Sequence, residues 1–303
     1  MFLPARNITD NSIFMKKSYL VLHLAVLLAG FTGVFGKLIS LNEGLLVWYR
    51  VILSSIILFA VLKAFKVNTA ITARQKFDIA KIGLLITIHW LFFYGSIKYS
   101  NVSIGVVCYC LTSFFTAIFS PLINRRRFHI TELLLSVLTL IGISLIFHFD
   151  SSYQLGIALG VISSAFAALY TVYNERLVKH YDSMLINYYQ MIGGTIGLSI
   201  LMPVYLHYFP VQSLLPGFRD VVYLFLLSSF CTVLLYIMFA ETLKRIPAFT
   251  VNLSFNLEPV YSIALAFLIF KEGKELNFSF YIGLLFVMMS VLLQTVFSMK
   301  KRS

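Results

Sequence analysis

Apolar stretches, each about as long as a membrane span, follow one another along almost the whole sequence. A helix needs about 20 predominantly apolar residues to cross the hydrocarbon core of a bilayer. With 59% hydrophobic and only 12% charged residues among 303, little is left for a soluble domain. The sequence therefore predicts an all-α integral membrane protein. Ten spans are predicted, at 18–39, 45–63, 79–98, 102–124, 130–149, 153–174, 183–207, 220–242, 247–270 and 277–298.

Lysine and arginine are distributed unequally between alternate loops, and cytoplasmic loops carry an excess of these residues. If the N-terminus is cytoplasmic, 18 of the 24 basic residues fall on the cytoplasmic side. These are Arg6, Lys16, Lys17, Lys63, Lys66, Arg74, Lys76, Lys81, Arg125, Arg126, Arg127, Arg176, Lys179, Lys244, Arg245, Lys300, Lys301 and Arg302. The other side receives Lys37, Lys98, Arg219, Lys271 and Lys274. We therefore expect both termini to be cytoplasmic.

The net charge of +12 comes from these loops. Because the basic residues punctuate apolar runs and are not interleaved with exposed aromatic residues, we expect no nucleic-acid partner. Cys108, Cys110 and Cys231 all lie inside apolar runs, so neither a disulfide framework nor a metal site is implied. No phosphate-binding G-x-x-x-x-G-K-[ST] motif and no H-E-x-x-H or G-x-S-x-G catalytic motif is present. We expect no cofactor, no metal and no enzymatic activity.

An internal repeat appears when the sequence is shifted by 146 residues. Residues 96–119 then lie over residues 242–265, and Thr112 stands opposite Glu258. Each half holds five spans, and an odd number places the halves in opposite orientations across the membrane. Inverted repeats of this kind are common in transporters, with a site near the bilayer midplane where the repeats meet. The predicted repeats are 1–150 and 151–303.

The ninth span carries a carboxyl group and a proline at its centre. Glu258 lies about 16 Å from the inner end of its helix, near the middle of a hydrocarbon core about 30 Å thick. One interpretation places Glu258 on a transport cavity, where it contacts a cationic or zwitterionic substrate or exchanges a proton. The other is structural: Glu258 satisfies backbone groups that Pro259, as a helix break, leaves unpaired. The sequence leaves both open.

Other polar residues of the ninth span fall on two faces of the helix. Ser262 lies one turn from Glu258 on the same face, whereas Asn252 and Asn256 form a second stripe. Polar groups on two faces indicate a helix that is enclosed by protein and water. We therefore count Ser262, Asn252 and Asn256 as candidate substrate-binding or coupling residues.

Candidates also occur in the third and fourth spans. Tyr109 and Thr112 occupy repeat positions that match the ninth span, and we expect them to face the same cavity. His89 and Trp90 form an aromatic and titratable pair in the third span. His89 serves either as a proton relay or, as is more common for a lone histidine, as a hydrogen-bonded packing residue.

Arg50 is a basic residue inside the second span. A shift of 140 residues aligns it with Gln190. Its position near the outer end of the span allows its side chain to reach the lipid headgroups. The alternative is that Arg50 binds a substrate carboxylate or pairs with Glu258.

The stretch "NLEPVYSIALAFLIFKEGKELN" resembles the second-repeat signature of the drug/metabolite transporter superfamily, specifically its EamA-type members. The resemblance lies in the Glu-Pro pair, the apolar run and the turn at 271–273, and it is supported by Arg50 and the five-plus-five plan. It implies export or exchange of small polar metabolites through a central cavity by alternating access. This chain has Thr112-Ser113 where the family often has Ser-Pro, so the fourth span is expected to be less kinked.

We therefore expect a multi-pass secondary transporter of the plasma or inner membrane, of bacterial type. Its partners are a small-molecule substrate, such as an amino acid or a related compound, and the lipid bilayer. Its oligomeric state is monomeric or homodimeric. The alternative functions are a membrane channel and a non-transporting membrane enzyme or scaffold.

Overall fold

The computed structural model describes residues 8–147, 153–270 and 278–300, and this part of the chain is helical without any strand. The helices are α1 (Ile8–Leu38), α2 (Glu43–Ala64), α3 (Ala73–Lys98), α4 (Val102–Tyr109), α5 (Leu111–Asn124), α6 (Ile130–Phe147), α7 (Gln154–Leu177), α8 (Ser183–Tyr208), α9 (Phe218–Ser228), α10 (Leu235–Leu243), α11 (Ala248–Phe255), α12 (Glu258–Phe270) and α13 (Phe278–Lys300). A π-helical turn, Ser229–Leu234, joins α9 to α10. The turn predicted at 271–273 and the basic residues Arg6, Lys271, Lys274, Lys301 and Arg302 lie outside the described residues.

Within the described ranges, seven helical segments are long and apolar enough to cross a membrane. They are Lys16–Leu38, Glu43–Ala64, Ala73–Lys98, Val102–Asn124, Gln154–Leu177, Ser183–Tyr208 and Phe218–Leu243. Two shorter apolar helices, Ile130–Gly142 and Tyr281–Leu293, coincide with the fifth and tenth predicted spans. The ninth span consists of α11 and α12. Within the described residues, each of the ten predicted segments therefore corresponds to helix.

The outer surface of the bundle is apolar. Large hydrophobic side chains point away from the protein, including Phe218 at 87%, Leu268 at 80% and Ile200 at 69% exposure. Polar side chains such as Ser54, Thr116 and many others are buried. An extensive exposed apolar surface marks contact with something other than water, and here it fits the lipid around a membrane protein.

The spans of the two halves pack in matched pairs. The packing of the third span against the sixth matches that of the eighth against the first. In the same way, the packing of the fourth span against the sixth matches that of the ninth against the first. The second span contacts the eighth as the seventh contacts the third. Spans related by the repeat, the second with the seventh, the fourth with the ninth and the fifth with the tenth, also contact each other. This matched packing of two five-span halves confirms the predicted architecture of two inverted repeats.

The fourth and ninth spans are both interrupted near their middle. Cys110 separates α4 from α5, and the two residues Asn256 and Leu257 separate α11 from α12. At these points the amides of Cys110 and Asn256 bond to carbonyls three residues back, at 3.0 Å each, as in a tight 3₁₀ turn. Cys110 and Asn256 are 146 residues apart, which is the offset of the repeat. The interruption in the fourth span is the shorter one, in line with the absence of a proline there.

Pro259 lies just past the break in the ninth span. It is the second residue of α12. The first turn of a helix leaves its backbone N–H groups without intrahelical partners, so the missing donor of a proline costs little there. The break therefore falls on Asn256 and Leu257, and Glu258 stands at the start of the second helical piece.

Candidate functional site

A cavity of about 30 Å³ lies where helices of both halves meet. A cavity needs about 10–15 Å³ to hold one water molecule, so this one has room for a small polar group. The wall is contributed by the first, third, fourth, eighth and ninth spans. Its lining residues are Ala29, Thr32, His89, Trp90, Phe93, Tyr109, Leu235, Tyr236, Phe255 and Glu258.

Glu258 supplies the one carboxyl group among the described residues that line the cavity. Its side chain is 4% exposed, and it begins α12 immediately after the break. A helix N-terminus favours a negative group because its unpaired N–H groups carry partial positive charge. Among the hydrogen bonds and ion pairs of the described residues, none involves the Glu258 carboxyl group. The structural alternative, in which Glu258 satisfies backbone groups freed by Pro259, is therefore not supported by any hydrogen bond of the described residues.

Arg50 lies beside the cavity and is held by hydrogen bonds to protein. It is only 1% exposed, so its side chain does not extend to the headgroups. Its Nε donates to Thr232 Oγ1 at 2.7 Å, its Nη1 to the Tyr94 hydroxyl at 2.8 Å and its Nη2 to the Cys231 carbonyl at 3.0 Å. The guanidinium carbon lies 3.7 Å from the centroid of the Trp90 ring, a cation–π geometry.

The two eighth-span partners of Arg50 belong to the π-helical turn. A π turn interrupts the regular hydrogen-bond ladder of a helix and is often found at functional sites. The Cys231 carbonyl accepts from Arg50, while the Thr232 hydroxyl accepts from Arg50 and donates to the Leu227 carbonyl at 3.0 Å. Arg50 therefore ties the second span to the irregular part of the eighth span.

Arg50 and Glu258 do not form the direct ion pair considered above. No nitrogen of Arg50 lies within 4.0 Å of the Glu258 oxygens, because the guanidinium is turned toward Thr232, Tyr94 and Cys231. Trp90 connects the two residues instead. It contacts the guanidinium of Arg50 and shares the cavity wall with Glu258.

His89, Trp90 and Tyr109 lie together on the cavity wall. His89 Nδ1 is 3.1 Å from the Ser163 carbonyl oxygen and 2.8 Å from the Ser163 hydroxyl. The imidazole and the Tyr109 ring have centroids 5.3 Å apart. Trp90 donates from Nε1 to the Tyr236 hydroxyl at 3.1 Å. The structure thus brings three of the predicted site residues to the same cavity as Glu258.

Asn252 and Ser262 join helices and do not line the cavity. Asn252 donates from Nδ2 to Thr116 Oγ1 at 2.7 Å and accepts from the Thr171 hydroxyl at 3.1 Å. Ser262 donates to the Gly30 carbonyl at 2.8 Å. These bonds connect the ninth span to the fourth, the sixth and the first.

Asn256 and Thr112 lie at the two helix breaks. Asn256 donates from Nδ2 to the Ser113 hydroxyl at 3.2 Å, and its carbonyl lies 3.9 Å from the Cys110 sulfur. Thr112 is buried beside the shorter break, and its hydroxyl has no hydrogen-bond partner among the described residues. The two breaks therefore contact each other, and neither of these side chains reaches the cavity wall.

Sequence reasoning missed six lining residues, which are Ala29, Thr32, Phe93, Leu235, Tyr236 and Phe255. Three of them follow from the repeat offset. A shift of 146 residues maps the candidates His89, Trp90 and Tyr109 onto Leu235, Tyr236 and Phe255, respectively. Applying the offset to every candidate, and not only to the Glu258 segment, would have found them.

Comparisons with known proteins agree with this architecture. A sequence model described as the EamA-like transporter family matches residues 16–148 and 154–296. An uncharacterized transporter of Haemophilus influenzae is 26% identical over 271 residues, covering 84% of this chain and 86% of that protein. The uncharacterized transporter YdfC of Bacillus subtilis is 26% identical over 249 residues, covering 79% of this chain and 78% of that protein. A solved crystal structure with 15% identity has the same fold, with a TM-score of 0.69 over 95% of this chain and 99% of that chain.

Proposed function

The chain belongs to the EamA-like transporter family, as a multi-pass protein of the cell membrane, and we propose that it is a secondary transporter of small polar metabolites. Amino acids or related compounds are the proposed substrate class, and export or exchange is the proposed direction. One observation carries the proposal. The Glu258 carboxyl group lies, without an ion-pair partner among the described residues, on a cavity that both inverted repeats build.

The proposed mechanism is alternating access, in which the two repeats rock against each other around the cavity. The paired helix breaks support it. The half-helix α4 packs against α12 while α5 packs against α11, so the two interrupted spans meet along their length. Interruptions at Cys110 and at Asn256–Leu257 supply hinges beside the cavity, where small backbone rotations would move the wall.

Polar links between the halves occur at both ends of the bundle. At one end, Asp220 of the second half accepts hydrogen bonds from the Ser40 amide at 2.9 Å and from the Ser40 hydroxyl at 2.5 Å. At the other end, Arg176 of the second half donates from Nε to Asn124 Oδ1 of the first half at 2.7 Å. Opening the cavity toward either face would break one of these links and leave the other intact.

The remaining elements of the proposal concern topology and assembly. Both termini are cytoplasmic, since that orientation puts 18 of the 24 basic residues on the cytoplasmic side. The repeats extend over 1–150 and 151–303. The proposed assembly is a monomer or a homodimer. Transport requires no cofactor, metal or catalytic step.

The site residues take distinct proposed roles. Glu258 binds the substrate or couples its movement to a proton, while His89, Trp90 and Tyr109 shape the wall around it. Arg50, which does not itself line the cavity, holds Trp90 in position through the contact with its ring. Four further residues adjust the contacts of the interrupted helices and do not touch the substrate; they are Asn252, Asn256, Ser262 and Thr112.

Reconstitution in liposomes tests this function. A panel of amino acids and other metabolites is assayed for saturable uptake and for counterflow into preloaded vesicles. Saturable uptake with counterflow is the expected result. Conductance that does not saturate would instead indicate a channel, and the absence of any flux an enzyme or scaffold.

A matched pair of variants locates the site. Glu258→Gln removes the carboxyl charge at the cavity, whereas Glu241→Gln makes the same chemical change at an exposed residue paired with Lys244 at 2.6 Å. We expect Glu258→Gln to abolish flux and Glu241→Gln to retain it, at equal amounts of folded protein. Equal flux in both variants would remove Glu258 from the mechanism.

A further inference from the structure

We propose that this cavity selects substrates that carry one ammonium group and no carboxylate, so that simple amines are preferred over the corresponding amino acids. This inference rests on the proposed transport function and narrows its substrate class. Five aromatic rings line the cavity, those of Trp90, Phe93, Tyr109, Tyr236 and Phe255. The faces of aromatic rings attract ammonium groups electrostatically. The Arg50 guanidinium already lies over the Trp90 ring, so the other four rings, beside a single carboxyl group, form the site suited to a cation.

The wall offers one carboxyl group, which can serve one positive group of a substrate. Glu258 is the acidic residue of the lining, and its repeat counterpart Thr112 lies away from the wall. No hydrogen bond or ion pair of the described residues occupies the Glu258 carboxyl group. A buried carboxylate is costly without a partner, so a substrate cation that neutralises it gains affinity.

The site lacks the arginine or lysine that would bind a substrate carboxylate. No lysine or arginine is among the described residues that line the cavity. Arg50 is the nearby candidate, but it donates to Thr232, Tyr94 and Cys231 and lies against Trp90. Three of the five N–H donors of its guanidinium are therefore committed to protein, and Trp90 covers one face of the group, so a substrate carboxylate has little access to Arg50.

His89 adds a hydrogen-bond acceptor to the wall in its neutral form. The Ser163 carbonyl, 3.1 Å from Nδ1, can only accept a hydrogen bond, so Nδ1 carries the proton. In the neutral ring, Nε2 then has a lone pair and accepts. An ammonium group donates three hydrogen bonds and a carboxylate donates none, so this tautomer also favours an amine.

The size of the cavity sets how the rest of the substrate is accommodated. A volume of about 30 Å³ holds one small polar group, not a whole metabolite. Tyr109 is the last residue of α4 and Phe255 the last residue of α11, so two wall rings are adjacent to the helix breaks. Bending at the breaks displaces these rings, which widens the cavity for the apolar part of an amine while the ammonium group stays near Glu258.

A single-tryptophan protein tests the inference by binding. The sequence contains two tryptophans, and Trp48→Phe leaves Trp90 as a reporter on the cavity wall. The probes are phenethylamine and 3-methylbutylamine, compared with phenylalanine and leucine, from which they differ only by the carboxylate. We expect saturable changes of Trp90 fluorescence with the amines and affinities weaker by about ten-fold or more for the amino acids.

Two controls complete the binding experiment. In the Trp48→Phe background, Glu258→Gln is expected to weaken amine binding by about ten-fold or more, while Glu241→Gln leaves it unchanged. If Glu258→Gln does not fold, the comparison of each amine with its amino acid in the Trp48→Phe protein decides alone. Equal or tighter binding of the amino acids, or no binding of either amine, would overturn the inference.

Flux measurements separate this inference from the proposed function. Counterflow of the two amines in proteoliposomes, with little flux of phenylalanine and leucine, supports both. Counterflow of amino acids or neutral metabolites without any amine flux overturns the substrate class and leaves the transporter intact. No saturable flux of any compound, despite amine binding, overturns the transporter proposal and retains the site.

Discussion

The guanidinium of Arg50 lies over the Trp90 ring, with its central carbon 3.7 Å from the ring centroid. The same side chain donates three hydrogen bonds, to Thr232, Tyr94 and the Cys231 carbonyl. Arginine suits this position because its planar group stacks on a ring while its edge donors remain available. The contact fixes one wall of the cavity to the π-helical turn of the eighth span, so changes at Arg50 reach the cavity through Trp90.

Arg50→Lys is expected to destabilise the protein although it keeps the positive charge. A lysine ammonium cannot stack on Trp90 and reach all three acceptors, so buried hydrogen bonds are lost, at a cost of about 2–3 kcal/mol in the free energy of unfolding. Thermal unfolding in detergent measures the loss. Arg219→Lys is the control, because Arg219 is exposed and bonds only locally to Tyr223 at 3.2 Å. Equal unfolding temperatures for the two variants would contradict the prediction.

Exchanging the charges of Arg50 and Glu258 is expected to give no rescue. The two groups are not within 4.0 Å of each other; Arg50 bonds to protein, whereas the Glu258 carboxyl group lies on the cavity wall. In a double-mutant cycle of Arg50→Glu and Glu258→Arg, we expect the double variant to be at least as impaired in flux as either single variant, at matched amounts of folded protein. Recovery of flux in the double variant would show that the two charges act as a pair during transport.

Cross-linking either end of the bundle is expected to stop turnover. Cysteines at Ser40 and Asp220 would close one end, and cysteines at Asn124 and Arg176 the other, because each pair forms a hydrogen bond between the halves. The native cysteines Cys108, Cys110 and Cys231 are buried and should not interfere.

Counterflow after oxidation, and again after reduction, measures this effect. Each disulfide should abolish counterflow and reduction should restore it, while the four single-cysteine variants remain active. Full counterflow in either cross-linked protein would mean that this end does not open during transport.

Gly193→Leu is expected to destabilise the contact between the third and seventh spans. A Cβ atom at Gly193 would lie 2.1 Å from the Ala80 carbonyl oxygen, and one at Gly83 would lie 2.0 Å from the Gln190 carbonyl oxygen. Backbones this close leave no room for a side chain, and overpacking typically costs about 1–3 kcal/mol or more. The unfolding temperature in detergent measures the effect. Gly217→Ala is the control, since nothing lies within 4 Å of a Cβ there, and a comparable loss in that variant would refute the packing explanation.

The positions of the spans were predictable because the thickness of the membrane sets the length of apolar sequence that each span needs. Each of the ten apolar stretches is helical where the structure describes it, since about 20 apolar residues must satisfy their own backbone hydrogen bonds in lipid. Interruptions were harder to place. Pro259 indicated a break in the ninth span, but Cys110 in the fourth has no proline beside it, and its sulfur lies 3.9 Å from the Asn256 carbonyl at the other break.

The residues around Glu258 could be predicted only in part. Tyr109 was found at a repeat position, and His89 with Trp90 as an aromatic and titratable pair in the third span; all three line the cavity with Glu258. Asn252 was expected beside them and instead bonds to Thr116 and Thr171. Each residue along a helix is rotated by about 100° from the one before it, so residues close in sequence face different neighbours. Sequence periodicity shows which residues share a face but not which neighbour that face contacts.

The sequence by itself determined that this chain is a membrane protein of ten spans in two inverted halves, because apolar length and internal repetition are properties of the chain alone. Only the tertiary structure decided where Arg50 goes. Its long side chain could extend to the headgroups, to Glu258 or to the interior, and the choice depends on Trp90 and on the π-helical turn, which lies 179 to 184 residues away along the chain. Contacts between distant segments, not local pattern, settle which buried charge finds a partner and which faces the cavity.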